Sequence, residues 1–593
     1  MKSWSHVIRR WHIVLAGGLL MIMFGLGLSS MSGNSAIVDE LAHIPAGYAY
    51  LHYGDYRLNP EHPPLMKDLA AIPLQFMNLK FPLDSPAWTS DANGQWEIGW
   101  SFLYHLGNDA TSVLFWSRLP ILLLAICFGA WLYWFVQRRW GVAVGLMTLL
   151  FYTLSPNILA HATLVTTDLG ASAFTFGALV AFAWYVERPT RARLLWLSAA
   201  LALAQVAKFS AFLLYPFLLG ITLVLVGMMQ KPVSAWLRLK VYSGGLVLAS
   251  ALSMVWVWLF YVPHVWNMPQ SVQDRLINGA IYNPDSRWIA DVLMNLNNYV
   301  IFKPLAQYFL GLAMVFGRVA GGNVTYFNGQ VTNQSFHGYF PELFVVKTQV
   351  ALLILMCAAL GWAVWRWRRG PQEGRVAVLE WTIGSFAAFY FGISVAGNLD
   401  LGIRHVLPIY IPIFVLVAVG TVKLWRRLSA TSWRWVSTVG LVGLLGWYSA
   451  STAFAAPYFI PYFNELIDGP ANADKYFSDS SVDWGQDLVR LRTYVNAHPE
   501  ITHIAVDYFG GAVPEYYFCV PTTTASYDCS DSKYEAWHSQ YGRYTGQYIA
   551  VSETFLENDR WYSAVNGTAG YEYLRAMKPI AKVGYSIYVY KLY

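Results

Sequence analysis

The stretch Ile13–Met31, IVLAGGLLMIMFGLGLSSM, is apolar enough to cross a bilayer, and a few residues later the chain changes to VDELAHIPAGYAYLHYGDYRLNPEHPPLMKDLAAIP, Val38–Pro73. The first reads as a spanning helix, because roughly 20 mainly apolar residues match the thickness of the hydrocarbon core. The second is dense in groups that hydrocarbon rejects: Asp39, Glu40, His43, His52, Asp55, Arg57, Glu61, His62, Lys67 and Asp68. A polar segment of this kind, set at the mouth of an apolar helix, predicts a membrane protein with chemistry at its surface.

Composition extends that reading to the whole chain. Of 593 residues, 56% are hydrophobic and 12% are charged, against roughly 25% charged in a soluble domain. The 27 Trp and 38 Tyr suit an extensive membrane–water boundary. A net charge of +6 is too small and too scattered to indicate a nucleic-acid partner. Cys127 and Cys357 fall in apolar runs and read as small core residues. Cys519 and Cys529 lie in the polar tail, where an oxidising compartment would pair them.

Further apolar runs occur at about 113–136, 142–157, 167–186, 194–207, 209–228, 241–262, 343–365, 379–397, 403–424 and 435–455, which makes about eleven spans. The first run follows Lys2, Arg9 and Arg10 and precedes no small-residue cleavage site, so it reads as a signal anchor. Alternate connections carry the basic residues: Arg138 and Arg139; Arg188, Arg191 and Arg193; Lys231, Arg238 and Lys240; Arg366, Arg368, Arg369 and Arg375; Lys423, Arg426, Arg427 and Arg434. By the positive-inside rule these are cytoplasmic. The N-terminus is then cytoplasmic, and three segments lie outside: about 32–112, 263–342 and the tail from 456.

The expected fold is an all-α polytopic membrane protein with a small C-terminal α/β extracytoplasmic domain. Residues 1–456 form the membrane domain and 457–593 the outer one. In the tail, Asp487–His498 and Tyr562–Met577 read as helices, whereas Ile501–Tyr508, Gln547–Ser552 and Ile580–Leu592 read as strands. Asn323, Asn333 and Asn566 begin N-x-Ser/Thr triplets on the outer side.

Adjacent acids beyond a first span can simply start a helix, since carboxylates favour its first turn. Here, however, His43 lies one turn on from Asp39, and Asn59-Pro60-Glu61-His62-Pro63-Pro64 follows. The prolines impose a rigid, non-helical turn that fixes the directions of Glu61 and His62. Glu61 with His62, or with His43, is a candidate pair for a divalent metal, although the spacing matches no specific site. Lys208 and Asp168 are candidates for an intramembrane ion pair. Neither a P-loop nor a dinucleotide fingerprint occurs in the sequence.

The pattern D-E-x-x-H, followed by G-D-Y-R-L-N-P-E-H-P-P-L-x-K, resembles the first outer loop of the protein O-mannosyltransferase-like glycosyltransferases of the GT-C superfamily, family 39 type. Further pieces match in order: Thr167-Asp168, Ala207-Lys208-Phe209-Ser210, Phe340 to Lys347-Thr348, Gly402-Ile403-Arg404-His405, Tyr462-Phe463-Asn464-Glu465-Leu466, and DSSVDWGQDL at Asp479–Leu488. That last segment resembles a prokaryotic branch. The chain departs from the pattern at Gln349, where relatives often have proline. It departs again at His62, where aminoarabinose-transferring relatives carry lysine.

The resemblance implies an inverting transferase that takes a sugar from a polyprenyl phosphate carrier to a protein, lipid or glycan hydroxyl outside the cell membrane. It implies Asp39 as general base, with Glu40 beside it as catalytic or positioning partner. His43, Arg57, Glu61, His62, Lys67, Lys347, Arg404, Asn464 and Trp484 are candidate substrate-binding residues. Arg404 leads the candidates for the leaving phosphate, because a guanidinium binds phosphate bidentately. A protein O-mannosyltransferase is the nearest specific alternative, but 263–342 is too short for the β-trefoil insert of the eukaryotic enzymes. A lipid-linked-sugar flippase is the alternative of another class. It is disfavoured by the lack of an internal repeat and by polar residues that crowd the loops rather than the mid-span.

Overall fold

Long runs of Leu, Val, Ala, Phe and Trp without charge leave the backbone no hydrogen-bond partner but itself, so the chain folds as helix wherever it meets hydrocarbon. The computed structural model describes residues 2–228, 234–369, 377–523, 526–567 and 570–593. Lys231, Arg375 and Thr568 of the Asn566 triplet lie outside the described residues, and for Lys2, Arg9, Arg10 and Asn566 only the backbone is described.

Nine helices among the described residues are long and apolar enough to cross a membrane. They are Trp11–Gly33, Ala110–Trp140, Asp168–Glu187, Phe209–Met228, Ala235–Tyr261, Val350–Arg368, Val378–Ala396, Ile403–Leu428 and Arg434–Ala455. The sequence reading of eleven is corrected at its two shortest runs. The first of these, Val142–Thr153, continues as Pro156–Ala162 only after a 62° bend, and counting the pair as one span gives ten. Pro156 cannot extend a helix, and Ser155 caps a new one by accepting from the Ile158 N–H at 3.5 Å. The second, Arg191–Ala207, is a 17-residue helix, short of a full span.

Charge is polarised along these helices. Arg138 and Arg139 end Ala110–Trp140, Arg366 and Arg368 end Val350–Arg368, and Arg426 and Arg427 end Ile403–Leu428. Asp168 and Arg404 stand at the other ends of their helices. The run expected at 343–365 is divided, because Tyr339–Lys347 stops at Thr348 and Val350–Arg368 begins afresh.

The segment 32–112 holds the helix Val38–Tyr53, which carries both acids in its first turn, and the short helices Leu65–Ala71 and Gln95–Trp100. The segment 263–342 contributes the amphipathic helices Gln270–Ala280, Arg287–Asn297 and Lys303–Gly321. In the tail, five strands form one sheet in the order 534–536, 504–507, 548–552, 587–591, 581–583. The first three are parallel and the last two join antiparallel.

Three tail expectations change. The helix expected over Tyr562–Met577 is instead Glu553–Asn566 plus the short Glu572–Arg575, because Gly567 adopts φ +66° and stops the first. The strand expected over Ile580–Leu592 is a hairpin that turns through Gly584 and Tyr585. The strand within Ile501–Tyr508 is confined to Ile504–Asp507. Cys519 and Cys529 are disulfide-bonded and close the hairpin 520–523/526–528.

The tail grips the chain just before Asp39. Ser35 donates its N–H to the Gln486 carbonyl at 2.9 Å and its hydroxyl to the Gly485 carbonyl at 2.7 Å, and the Val38 N–H reaches the Trp484 carbonyl at 3.3 Å. The Gly511 N–H bonds the Ala36 carbonyl at 3.2 Å, an approach that only glycine permits, since a Cβ there would sit 2.3 Å from the Ile37 carbonyl.

Candidate active site

This grip places Asp39 in a cavity of about 190 Å³ between the membrane helices and the tail. Its walls bring together Asp39, His43, Glu61, His62, Arg404 and Trp484, along with Asn59, Trp96, Arg318, Asp479 and Phe509. Arg404 Nη1 donates to Asp39 Oδ2 at 2.7 Å, its Nε donates to the Leu401 carbonyl at 3.1 Å, and its guanidinium lies 4.3 Å from the centre of the Trp484 ring. The Asp39 side chain keeps 20% of its surface exposed. Behind this wall, the His161 ring meets Trp484 edge-on, and Lys208 pairs with Asp168.

The opposite wall is the proline turn. Asn59 sits at φ +51°, and its carbonyl and side-chain oxygen both accept from Lys67 Nζ, at 2.8 and 3.1 Å. The same ammonium donates to the His62 carbonyl at 2.7 Å and the Tyr50 hydroxyl at 2.8 Å. Glu61 is aimed by Gln95, which donates to Oε1 at 2.9 Å. His62 stacks edge-on against His43 at 4.9 Å, and His43 Nδ1 bonds the Val165 carbonyl at 2.8 Å. Burial holds both imidazoles below their usual value, His62 the more strongly, so both are neutral at pH 7. Among the described residues no three His, Cys, Asp or Glu side chains group as metal ligands.

Five residues expected at the site lie elsewhere. Glu40 is sealed in the core: Arg118 Nε and Nη2 donate to its two carboxylate oxygens at 2.7 and 2.6 Å, and the N–H groups of Ile37 and Val165 complete it, each at 3.1 Å. Arg57 is clamped bidentately on Asp55 and stacks 4.0 Å over Trp88. Lys67 is the tie of the proline turn, and burial pushes its ammonium down to about 7 despite the opposing charges of Glu61 and Asp68. Lys347 donates to the carbonyls of Ile460 and Ser481 at 2.6 and 2.5 Å, and burial lowers its pKa well below that of a free lysine. Asn464 donates to the Val345 and Thr348 carbonyls at 2.7 and 2.6 Å, closing the end of the helix Tyr339–Lys347. In each case a strong donor or acceptor satisfies backbone groups that would otherwise be buried unpaired.

The sequence reading missed Arg318, Trp96, Asp479 and Phe509. Arg318 is exposed in the last turn of Lys303–Gly321 and forms no hydrogen bond or ion pair among the described residues. A single arginine in the last turn of a largely apolar, amphipathic helix of an outer segment was the available signal. Phe509 had a weaker signal, standing next to the paired glycines 510–511. Asp479 opens the motif DSSVDWGQDL but was not singled out within it, and nothing local marked Trp96.

The arrangement is a carboxylate open to solvent, one arginine committed to it, a second arginine without a partner, two neutral imidazoles and two tryptophans. It offers a proton acceptor, positive charge for an anion and, at the exposed Trp96, an aromatic face for a sugar ring, all within one small volume.

No family model matches the chain, and no curated protein matches it. Solved structures of similar shape exist. One is ArnT from Cupriavidus metallidurans bound to undecaprenyl phosphate, at 13% identity, with 98% of this chain and 97% of that one covered and a TM-score of 0.45. Another is the archaeal oligosaccharyltransferase AglB from Archaeoglobus fulgidus, in complex with an inhibitory peptide and a dolichol-phosphate, at 12% identity, with 95% and 71% covered and a TM-score of 0.46. At these TM-scores the likeness carries no weight for function.

Proposed function

We propose that the protein is an inverting glycosyltransferase of the cell membrane that moves a sugar from a polyprenyl phosphate carrier to an acceptor hydroxyl outside the cell. The observation that carries this reading is the Asp39–Arg404 pair, set beside the unpartnered Arg318 in one cavity where apolar helices meet polar loops. The motifs that resemble the GT-C glycosyltransferases supply much of that cavity. The arginine-rich helix ends face the cytoplasm by the positive-inside rule, which puts the cavity on the outer side.

The chemistry follows from charge. The Asp39 carboxylate is engaged by the Arg404 guanidinium at 2.7 Å and so is not free to take a proton from an acceptor. A carrier phosphate entering the cavity competes for Arg404 and frees Asp39. Asp39 then accepts the proton of the acceptor hydroxyl as its oxygen bonds the anomeric carbon. The bond from that carbon to the phosphate oxygen breaks on the opposite face, and the phosphate leaves with the electron pair. Arg318 and Arg404 hold the charge that develops there. His43 and His62, both neutral, can donate hydrogen bonds to sugar hydroxyls without competing for the phosphate. Glu61 and Trp484 flank the ring. The residues here do not fit a divalent ion: among the described residues Glu61, His43 and His62 do not group as ligands, and Glu61 is held by Gln95.

The test is a proteoliposome assay with radiolabelled polyprenyl phosphate sugar and a panel of protein, lipid and glycan acceptors. Covalent, stereochemically inverted product is expected. Movement of the intact carrier across the bilayer without product would replace this reading with that of a flippase. Product on protein alone would narrow it to protein O-glycosylation.

A further inference from the structure

A second, larger crevice plays no part in this chemistry. It lies between the helices Val350–Arg368, Val378–Ala396 and Ile403–Leu428, at the arginine-rich ends away from Asp39, and has a volume of about 910 Å³. Its walls are apolar, with Leu360, Ala363, Ala387, Leu416 and Val417 among them. These walls stand within spans, so what fills the crevice must be as apolar as the bilayer.

The mouth has the opposite character. Lys423, Arg426 and Arg427 line it, all exposed, and no carboxylate pairs with any of them among the described residues. Arg427 rests over the Trp365 ring at 4.6 Å. Among the described residues the one acid at the rim, Glu380, is turned to another partner and accepts from Trp140 Nε1 at 2.9 Å. Trp367 and Trp381 are both exposed beside it, as aromatic residues at a headgroup layer are. Uncompensated cations at the polar end of an apolar cleft between helices fit a molecule with an acyl body and an anionic head.

We infer that this crevice is a binding site for an anionic phospholipid, with its chains between the three helices and its phosphate on Lys423, Arg426 and Arg427. The site is separate from the catalytic cavity and does not depend on how that cavity works.

The test uses the full chain, purified and delipidated in detergent, and titrated in native mass spectrometry with phosphatidylglycerol and phosphatidylcholine of matched chains. Wild type is expected to prefer phosphatidylglycerol. Lys423→Gln with Arg426→Gln should erase most of that preference, at roughly fivefold per charge removed. Lys423→Arg with Arg426→Lys should keep it. Gly384→Leu, at a position lining the crevice where an added Cβ meets only Leu416 at 3.5 Å, should reduce binding of both lipids by filling the space. The inference is overturned if the neutral double variant keeps the wild-type preference, or if Gly384→Leu folds and binds both lipids as before. It is also overturned if polyprenyl phosphate displaces phosphatidylglycerol from this site at lower concentration, which would make the crevice a carrier site.

Discussion

Asp39 and Glu40 are neighbours in sequence, each is paired with an arginine from a distant helix, and the two pairs work in opposite ways. The Glu40–Arg118 pair has side chains 0% and 1% exposed, with every carboxylate oxygen and guanidinium nitrogen engaged. It ties together the end of the first span, the start of Val38–Tyr53 and the loop at Val165. The Asp39–Arg404 pair opens on a cavity and rests on one hydrogen bond between the partners. A carboxylate that completes a sealed network cannot exchange its partner. One that shares an open cavity with a second, unpaired arginine can. Whether an acid is structural or reactive is decided here by enclosure, not by its charge partner.

Five variants would break or sharpen this contrast. Asp39→Asn should lower transfer roughly 10²–10⁴-fold, as loss of a general base does, with the unfolding midpoint unchanged. A variant that keeps full activity would remove Asp39 from the chemistry. Glu40→Gln should instead destabilise the fold by about 3–5 kcal/mol by stranding a buried guanidinium, read as lost yield and a lowered midpoint in detergent. The double variant Glu40→Leu with Arg118→Met should recover much of that loss, because replacing both members removes the stranded charge. Recovery of activity alongside stability would show that Glu40 has no chemical part.

Arg318→Gln tests the cavity from its other side. Removing one charge-assisted contact to the phosphate should lower kcat/KM roughly 10- to 100-fold and leave stability unaltered, since the side chain is exposed. A pH-dependent effect is expected at Glu553, a fully buried carboxylic acid behind the Asp483 turn that accepts from the Ser478 hydroxyl at 2.9 Å. Burial, with Glu557, Asp483 and Asp474 nearby, holds its pKa well above the usual 4.5. The native state keeps a proton that the unfolded chain releases, so stability falls as pH rises above about 4.5, by at most ~1.4 kcal/mol per pH unit. Glu553→Gln should flatten that decline, measured as the unfolding midpoint between pH 5 and 8. An unchanged slope would mean that the group ionises freely.

The membrane character and the polar stretch after the first span were legible because both are written locally, in hydropathy and in proline and acid spacing. Asp39, His43, Glu61, His62, Arg404 and Trp484 were named from sequence, and the fold gathers them in one cavity. Arg57, Lys67 and Lys347 were named with them as cations for phosphate, and the fold places them on Asp55 and on carbonyl oxygens instead. A sequence shows that a cation is present, but not which buried oxygens around it lack a donor. An ammonium offers three donors, and Lys67 and Lys347 meet that need. Arg118 lies 78 residues from Glu40, and no local pattern links them. The span count failed at Ser155-Pro156 for a different reason: hydropathy alone does not register a bend.

Ser35 and its partner Gly485 are 450 residues apart. At roughly 5–20 residues per second of synthesis, about 20 to 90 seconds separate the emergence of the chain before Asp39 from that of the segment that positions it. Throughout that interval the growing chain has helices in the bilayer and no Trp484 wall to its cavity. Maturation is thus timed by translation itself, and the cavity around Asp39 is complete only after the last span is in place. A chain ended at Ala455 should insert fully and transfer nothing, which membrane extraction and the proteoliposome assay together would show.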